Sequence, residues 1–146
     1  MPTARRTRLI DAPPQDLWRL VRDPHHLPRW WPRVSRVEAV KGERFTEVLL
    51  TSRGRPVRAD FRLESADQRA LRLVWSQELV GTPFARVLRE SRTEISLTPA
   101  QGGTEVSLQI SQRLNGFIAR LGALLVRRAA ASTLEEALDG LQRIAG

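Results

Sequence analysis

Four polar side chains, Gln77, Arg89, Ser91 and Thr93, fall on alternating positions whose same-face neighbours are apolar, and they are the residues best placed for chemistry in this chain. Leu71, Leu73, Trp75, Gln77 and Leu79 share one face of a segment from Ala70 to Leu79. Val87, Ser91, Thr93, Ile95 and Leu97 share one face of the next, from Phe84 to Thr98. Arg89 keeps that register, and Gln112 follows near the end of a later strand. A buried hydroxyl or amide left without a partner costs about 1–3 kcal/mol and a charge costs more, so each must meet a protein group, water or a ligand. Arg89 is the sharpest case, because a permanently charged, forked donor on an apolar face suits a carboxylate, phosphate or enolate. The competing reading puts Arg89 past the rim of that face, or turned outward by a bulge after Pro83.

Other chemistries lack their residues. His25 and His26 are the two histidines, and adjacent residues on a helix point about 100° apart, so they read as surface residues and not as a metal pair. Cysteine and tyrosine are absent, and Lys41, the single lysine among 24 basic residues, sits in a turn. Asp60, Glu64, Glu90 and Glu94 alternate outward as solvated charges. We therefore expect no catalytic residue, metal or cofactor that the sequence can name, and whether the protein is an enzyme stays open.

Positioning these side chains requires a sheet and a cover for it. Arg6 to Ile10 reads as a strand that runs into a helix with Pro13 and Pro14 in its first turn and Asp16 near its positive end. Asp23 can cap a second short helix with Pro24 at its first position, and Pro28 and Pro32 force the chain out beside Trp30 and Trp31. Val34 to Val40 and Phe45 to Ser52 alternate around a Lys41-Gly42 turn. Val57, Ala59, Phe61 and Leu63 then face one side, against Arg58, Asp60, Arg62 and Glu64 on the other. After a Gly102-Gly103 turn, Val106, Leu108 and Ile110 face in. From Asn115, a candidate N-cap, to Ile144 the period becomes helical. Leu134, Leu138 and Leu141 form an amphipathic stripe with Asp139 and Arg143 as an exposed pair, whereas Phe117, Ile118, Leu121, Leu124, Leu125 and Val126 are apolar nearly all round. Helices segregated from strands make this an α+β chain, and its 146 residues suit one domain over 1–146.

Net charge is +8, which attracts phosphates and anionic surfaces. The arginines are spread along the chain and match no nucleic-acid-binding spacing, so we expect no nucleic-acid partner. No signal-peptide pattern opens the chain, and its longest apolar stretch, Leu121 to Val126, is far short of the ~20 residues a membrane span needs. The lack of cysteine fits a reducing cytoplasm.

Ile10-Asp11-Ala12-Pro13-Pro14 with Leu17-Trp18, Asp23-Pro24, Leu27-Pro28-Arg29-Trp30-Trp31-Pro32, Gly42 in the first hairpin, Gly103-Thr104-Glu105-Val106 and the Leu134 to Leu141 stripe together resemble the SRPBCC superfamily, also called START-like or Bet v 1-like. Within it, the chain looks like the bacterial polyketide cyclase/dehydrase and lipid-transport branch, over essentially its whole length. The resemblance implies a helix-grip fold, in which a seven-stranded antiparallel curved sheet wraps a long C-terminal helix, with two short helices after strand 1. It also implies a cavity for apolar or aromatic ligands. On this chain that cavity would be bounded by Trp31, Trp75, Gln77, Phe84, Arg89, Ser91 and Thr93 and by Phe117, Leu121, Leu124 and Leu125 of the last helix, with Trp18 in the core. The tyrosine and lysine acid/base groups of some enzymes of the superfamily have no counterpart here.

Three functions fit these residues. The first is binding or transport of a hydrophobic or aromatic small molecule, such as a lipid, isoprenoid or polyketide, in a cavity of roughly 300–1,000 Å³. The second is a polyketide cyclase/dehydratase-type enzyme acting in the same cavity, with Arg89 or a bound water assisting enolisation. The third is a protein- or membrane-surface interaction module that uses the arginines, in transient contact with an anionic membrane surface, together with the apolar half-helix left exposed in the monomer. Oligomeric state is not set by the sequence.

Overall fold

In the computed structural model, residues 2–146 are described, except that the side chains of 117–121 lie outside the described residues. The chain runs β1 (Thr3–Ile10), α1 (Pro14–Arg22), a 3-10 turn (Pro24–His26), α2 (Leu27–Trp30), β2 (Val34–Lys41), β3 (Arg44–Leu50), β4 (Pro56–Asp67), β5 (Arg72–Glu78), a second 3-10 turn (Pro83–Arg86), β6 (Leu88–Ala100), β7 (Gly103–Leu114) and α3 (Gly116–Ala145). The strands form one seven-stranded antiparallel sheet in the order β1-β7-β6-β5-β4-β3-β2. The first strand thus returns beside the last, and the curved sheet holds α3 against its inner face, as the helix-grip expectation requires.

Local chemistry sets the two short helices as the sequence suggests. Pro14 opens α1, whose buried residues Leu17, Trp18 and Val21 form one face. The Asp23 carboxylate accepts from the His25 backbone N–H at 3.0 Å, and Pro24 follows as the first residue of the turn. α2 then presses Trp30 against α3 at a glycine. A Cβ on Gly140 would stand 2.3 Å from the Trp30 carbonyl oxygen, so only a residue without a side chain allows this approach.

The solid core lies beneath the C-terminal half of α3. Leu134, Leu138 and Leu141 are fully buried, together with Ile10 of β1, Leu17 of α1, Ile95 of β6, and Val106 and Leu108 of β7. α3 packs chiefly on β1 and β7. The helix is tied there by Arg8, which donates to Asp139 at 2.6 Å and to Glu135 at 2.9 Å. Asp139 is therefore paired across to β1 and not with Arg143, whose guanidinium reaches the Arg29 carbonyl at 3.4 Å.

Two other local expectations change. The stretch expected as one strand from Phe84 to Thr98 is broken, because Pro83 starts a 3-10 turn and Thr82 Oγ1 donates back to the Leu79 carbonyl at 2.7 Å. Asn115 occupies the position before α3, but its side chain does not cap the helix. Its Nδ2 donates to the Arg86 carbonyl at 3.5 Å and its backbone N–H to the Val87 carbonyl at 2.8 Å. On the outer face, carboxylates meet arginines or hydroxyls from neighbouring strands. Glu64 pairs with Arg92 at 3.2 Å, Glu94 with Arg72, Glu90 with Arg113 at 3.9 Å, and Asp60 accepts from Thr46 at 2.6 Å.

Candidate ligand cavity

Alternation along β3 to β6 builds the floor of the site. Phe45, Glu47 and Leu49 of β3 face inward beside Ala59 and Phe61 of β4, then Trp75 and Gln77 of β5, then Ser91 and Thr93 of β6. Because α3 sits over β1 and β7, this part of the inner face is not filled by the helix. Trp31, Pro32 and Arg33, leaving α2, arch over it instead. The resulting chamber has a volume of about 200 Å³, with Trp31, Phe61 and Trp75 as its principal aromatic walls and Thr133 of α3 at one side.

A second, more open chamber of about 460 Å³ adjoins the first at Thr133 and is lined by residues including Phe84, Val87, Gln112, Val126 and Ala130. On the far side of Trp75 lies a smaller space of about 100 Å³, beside Val21, Leu27, Phe45 and Leu73. Trp75 is the partition, held by edge contacts to Trp31 at 5.7 Å and to Phe45 at 6.1 Å between ring centroids, while Phe45 stacks on Phe61 at 5.4 Å.

Five of the residues singled out from the sequence, Trp31, Trp75, Gln77, Ser91 and Thr93, meet in the first chamber, and Phe84 lines the second. Gln112 Nε2 donates to Ser91 Oγ at 3.5 Å, linking the polar rows of the two spaces. Arg89 does not join them. The pairing of β6 with β7 slips between Leu88 and Glu90, and the extra residue in this bulge turns Arg89 out into solvent. Leu124 and Leu125 are exposed, at 52% and 67%, and are not among the lining residues. Phe117 and Leu121 have side chains outside the described residues. His25 and His26 stay in the turn with Asp23, where His25 Nδ1 lies 2.9 Å from the carboxylate.

Glu47 is the residue the sequence reading missed. It is 3% exposed, lines the first chamber, and has no hydrogen-bond or ion-pair partner among the described residues. Burial alone pushes its carboxyl up to about 8, since no donor offsets the loss of water around the charged form. The signal was present in the period-two frame Phe45, Glu47, Leu49, which places a carboxylate between two inward apolar residues. The chamber therefore offers aromatic faces, a carboxyl that is neutral at pH 7, a primary amide and three hydroxyls, of Ser91, Thr93 and Thr133. This set can bind a flat apolar molecule and hydrogen-bond its polar atoms. At its mouth stands Arg33, with a left-handed φ of 65° and a 3.9 Å approach to Glu136.

A curved antiparallel sheet gripping a long C-terminal helix defines a START-like, helix-grip fold. A model of the polyketide cyclase/dehydrase and lipid transport family matches residues 1–146, and the chain belongs to that family. Among curated proteins no sequence matches it. Solved structures do. The chain is 27% identical to the di-domain ARO/CYC protein BexL from the BE-7585A biosynthetic pathway, with a TM-score of 0.80, and the match covers 98% of this chain but 46% of BexL, so it spans about half of that protein. It is 24% identical to TTHA0849 from Thermus thermophilus, with a TM-score of 0.76 over 97% of this chain and 95% of that one. A START superfamily protein from Mycobacterium smegmatis shares the fold at a TM-score of 0.79 and 11% identity, covering 98% and 96% of the two chains. No helix among the described residues is long and apolar enough to cross a membrane.

Proposed function

We propose that this protein binds a hydrophobic or aromatic small molecule, of lipid, isoprenoid or polyketide type, in the chambers between β3–β6 and α3. The observation that carries the reading is the aromatic-walled chamber of about 200 Å³, which shares Thr133 as a lining residue with a larger apolar one of about 460 Å³. Together their size suits a small multi-ring molecule or a folded chain. Burial of its rings against Trp31, Phe61 and Trp75 supplies affinity, at about 25 cal/mol per Å² of apolar surface removed from water. Gln77, Ser91 and Thr93 orient it. The cysteine-free sequence supports placing this activity in the reducing cytoplasm.

A second reading, turnover of a polyketide-type ligand in the same chamber, is favoured by the likeness to the ARO/CYC protein BexL. Arg89, exposed at its bulge, takes no part in it.

Native mass spectrometry of the protein as expressed, followed by extraction and identification of the bound molecule, tests the binding reading. A stoichiometric apolar ligand, released when Trp75→Ala removes an aromatic wall of the first chamber, is the expected result. Retention of the same ligand at full occupancy by a folded Trp75→Ala variant would place the site elsewhere.

A further inference from the structure

Glu47 stands out because its position has an energetic cost and the protein does nothing to offset it. Its neighbours across the sheet are Val37 of β2 and Ala59 of β4, both apolar. Around the chamber it shares, β5 contributes Gln77, β6 contributes Ser91 and Thr93, and α3 contributes Thr133, none of them titratable. Among the described residues Arg33 is the one charged group beside it in the lining, and that guanidinium is exposed at the mouth, facing Glu136. A carboxyl so placed stays protonated at neutral pH and carries one O–H donor with no protein acceptor among the described residues.

We propose that Glu47 is a specificity-determining donor that selects, among flat apolar molecules fitting the chamber, those bearing a carbonyl oxygen. The inference rests on the ligand-binding reading above and adds the chemical class. Two features favour an oxygen acceptor over a cationic ligand. The net charge of +8 and Arg33 at the entrance repel an approaching cation, whereas a carbonyl brings the acceptor that the neutral acid lacks. An unmatched buried donor discriminates against analogues without the acceptor, because they leave it unpaired.

Isothermal titration of the whole protein with acetylnaphthalene and with isopropenylnaphthalene, the same shape with CH₂ in place of the oxygen, tests this. At about pH 6 the ketone should bind about two- to twelvefold tighter than the hydrocarbon, the range a net hydrogen bond of about 0.5–1.5 kcal/mol allows. At about pH 10, with Glu47 ionised, that preference should vanish. Glu47→Gln, which keeps a donor and cannot ionise, should hold the preference at both pH values. Glu47→Leu should bind both probes alike. Equal binding of the two probes to the native protein at about pH 6 would overturn the proposal while leaving the cavity reading intact. So would survival of the preference in Glu47→Leu, or tighter binding of naphthylmethyl-trimethylammonium than of the ketone. Failure of both neutral probes to bind would remove the cavity reading itself, and the donor proposal with it.

Discussion

The two halves of the inner sheet face are built from the same alternation and end in opposite states. Over β1 and β7, the C-terminal half of α3 sets Leu134, Leu138 and Leu141 against Ile10, Val106 and Leu108, and all six are fully buried. Over β3 to β6, Thr133 is the one residue of the helix among the described residues that lines the first chamber, and the inward positions hold Glu47, Gln77, Ser91 and Thr93 among aromatics. Interiors normally pack without voids, so a space of this size persists only where stiff walls prevent collapse. The partition of Trp31, Trp75, Phe45 and Phe61 is such a wall. The filled half provides the stability that lets the other half remain hollow and hold polar groups that a packed core would not tolerate.

The largest test of this contrast is one substitution placed at each end of α3. Leu138→Arg would bury an unpaired charge in the filled half and should leave the chain unfolded by circular dichroism. Leu125→Arg, at a position already 67% exposed, should change unfolding free energy by no more than about 0.5 kcal/mol. Comparable loss in both would show that α3 is packed at Leu125 as closely as at Leu138.

A smaller effect should appear in the hollow half as a pH dependence. The Glu47 carboxyl titrates near 4.5 when unfolded and near 8 when folded, so between these values the native state holds a proton that the unfolded state has released. Stability is then full below about 4.5 and is lost as pH rises towards about 8, by at most about 1.4 kcal/mol per pH unit. Glu47→Gln should remove that slope, making the variant more stable than the native protein in urea unfolding at the upper end of the window. An unchanged slope would mean the carboxyl is not buried in solution.

The smallest effect belongs to the strap over the filled half. Arg8→Ala breaks the contacts to Glu135 and Asp139 at 2.9 and 2.6 Å, and because both acids are largely exposed the cost should stay within about 1 kcal/mol and shrink with added salt. A loss well above that, insensitive to salt, would show the strap to be part of the core.

Much of the fold could be read in the residues themselves. Strict alternation in β4, proline at the first turn of each short helix, and the Leu134–Leu138–Leu141 stripe each have one low-energy solution, and the structure adopts it. The site was legible where it followed the same rule, which is why Trp75, Gln77, Ser91 and Thr93 converge. It failed at Arg89 because a single extra residue between Leu88 and Glu90 reverses the face of a strand, and no residue type there announces the slip. Glu47 escaped notice for the opposite reason. Its register was clear, but a carboxylate is a surface residue by composition, and only the void above β3 explains its tolerance inside.

The distribution of indoles has an optical consequence. The chain has four tryptophans and no tyrosine, so its emission on excitation at the red edge of indole absorption, where its phenylalanines do not absorb, comes from those four rings. Trp18 and Trp30 are sealed in the filled half with their indole N–H groups unpartnered, while Trp31 and Trp75 form chamber walls. The edge contacts from Trp30 to Trp31 at 5.3 Å and on to Trp75 at 5.7 Å leave these three rings close enough to exchange excitation. A molecule that quenches one chamber wall therefore also drains the buried Trp30, and the protein carries a built-in optical reporter whose response to occupancy exceeds the share of rings that the occupant touches.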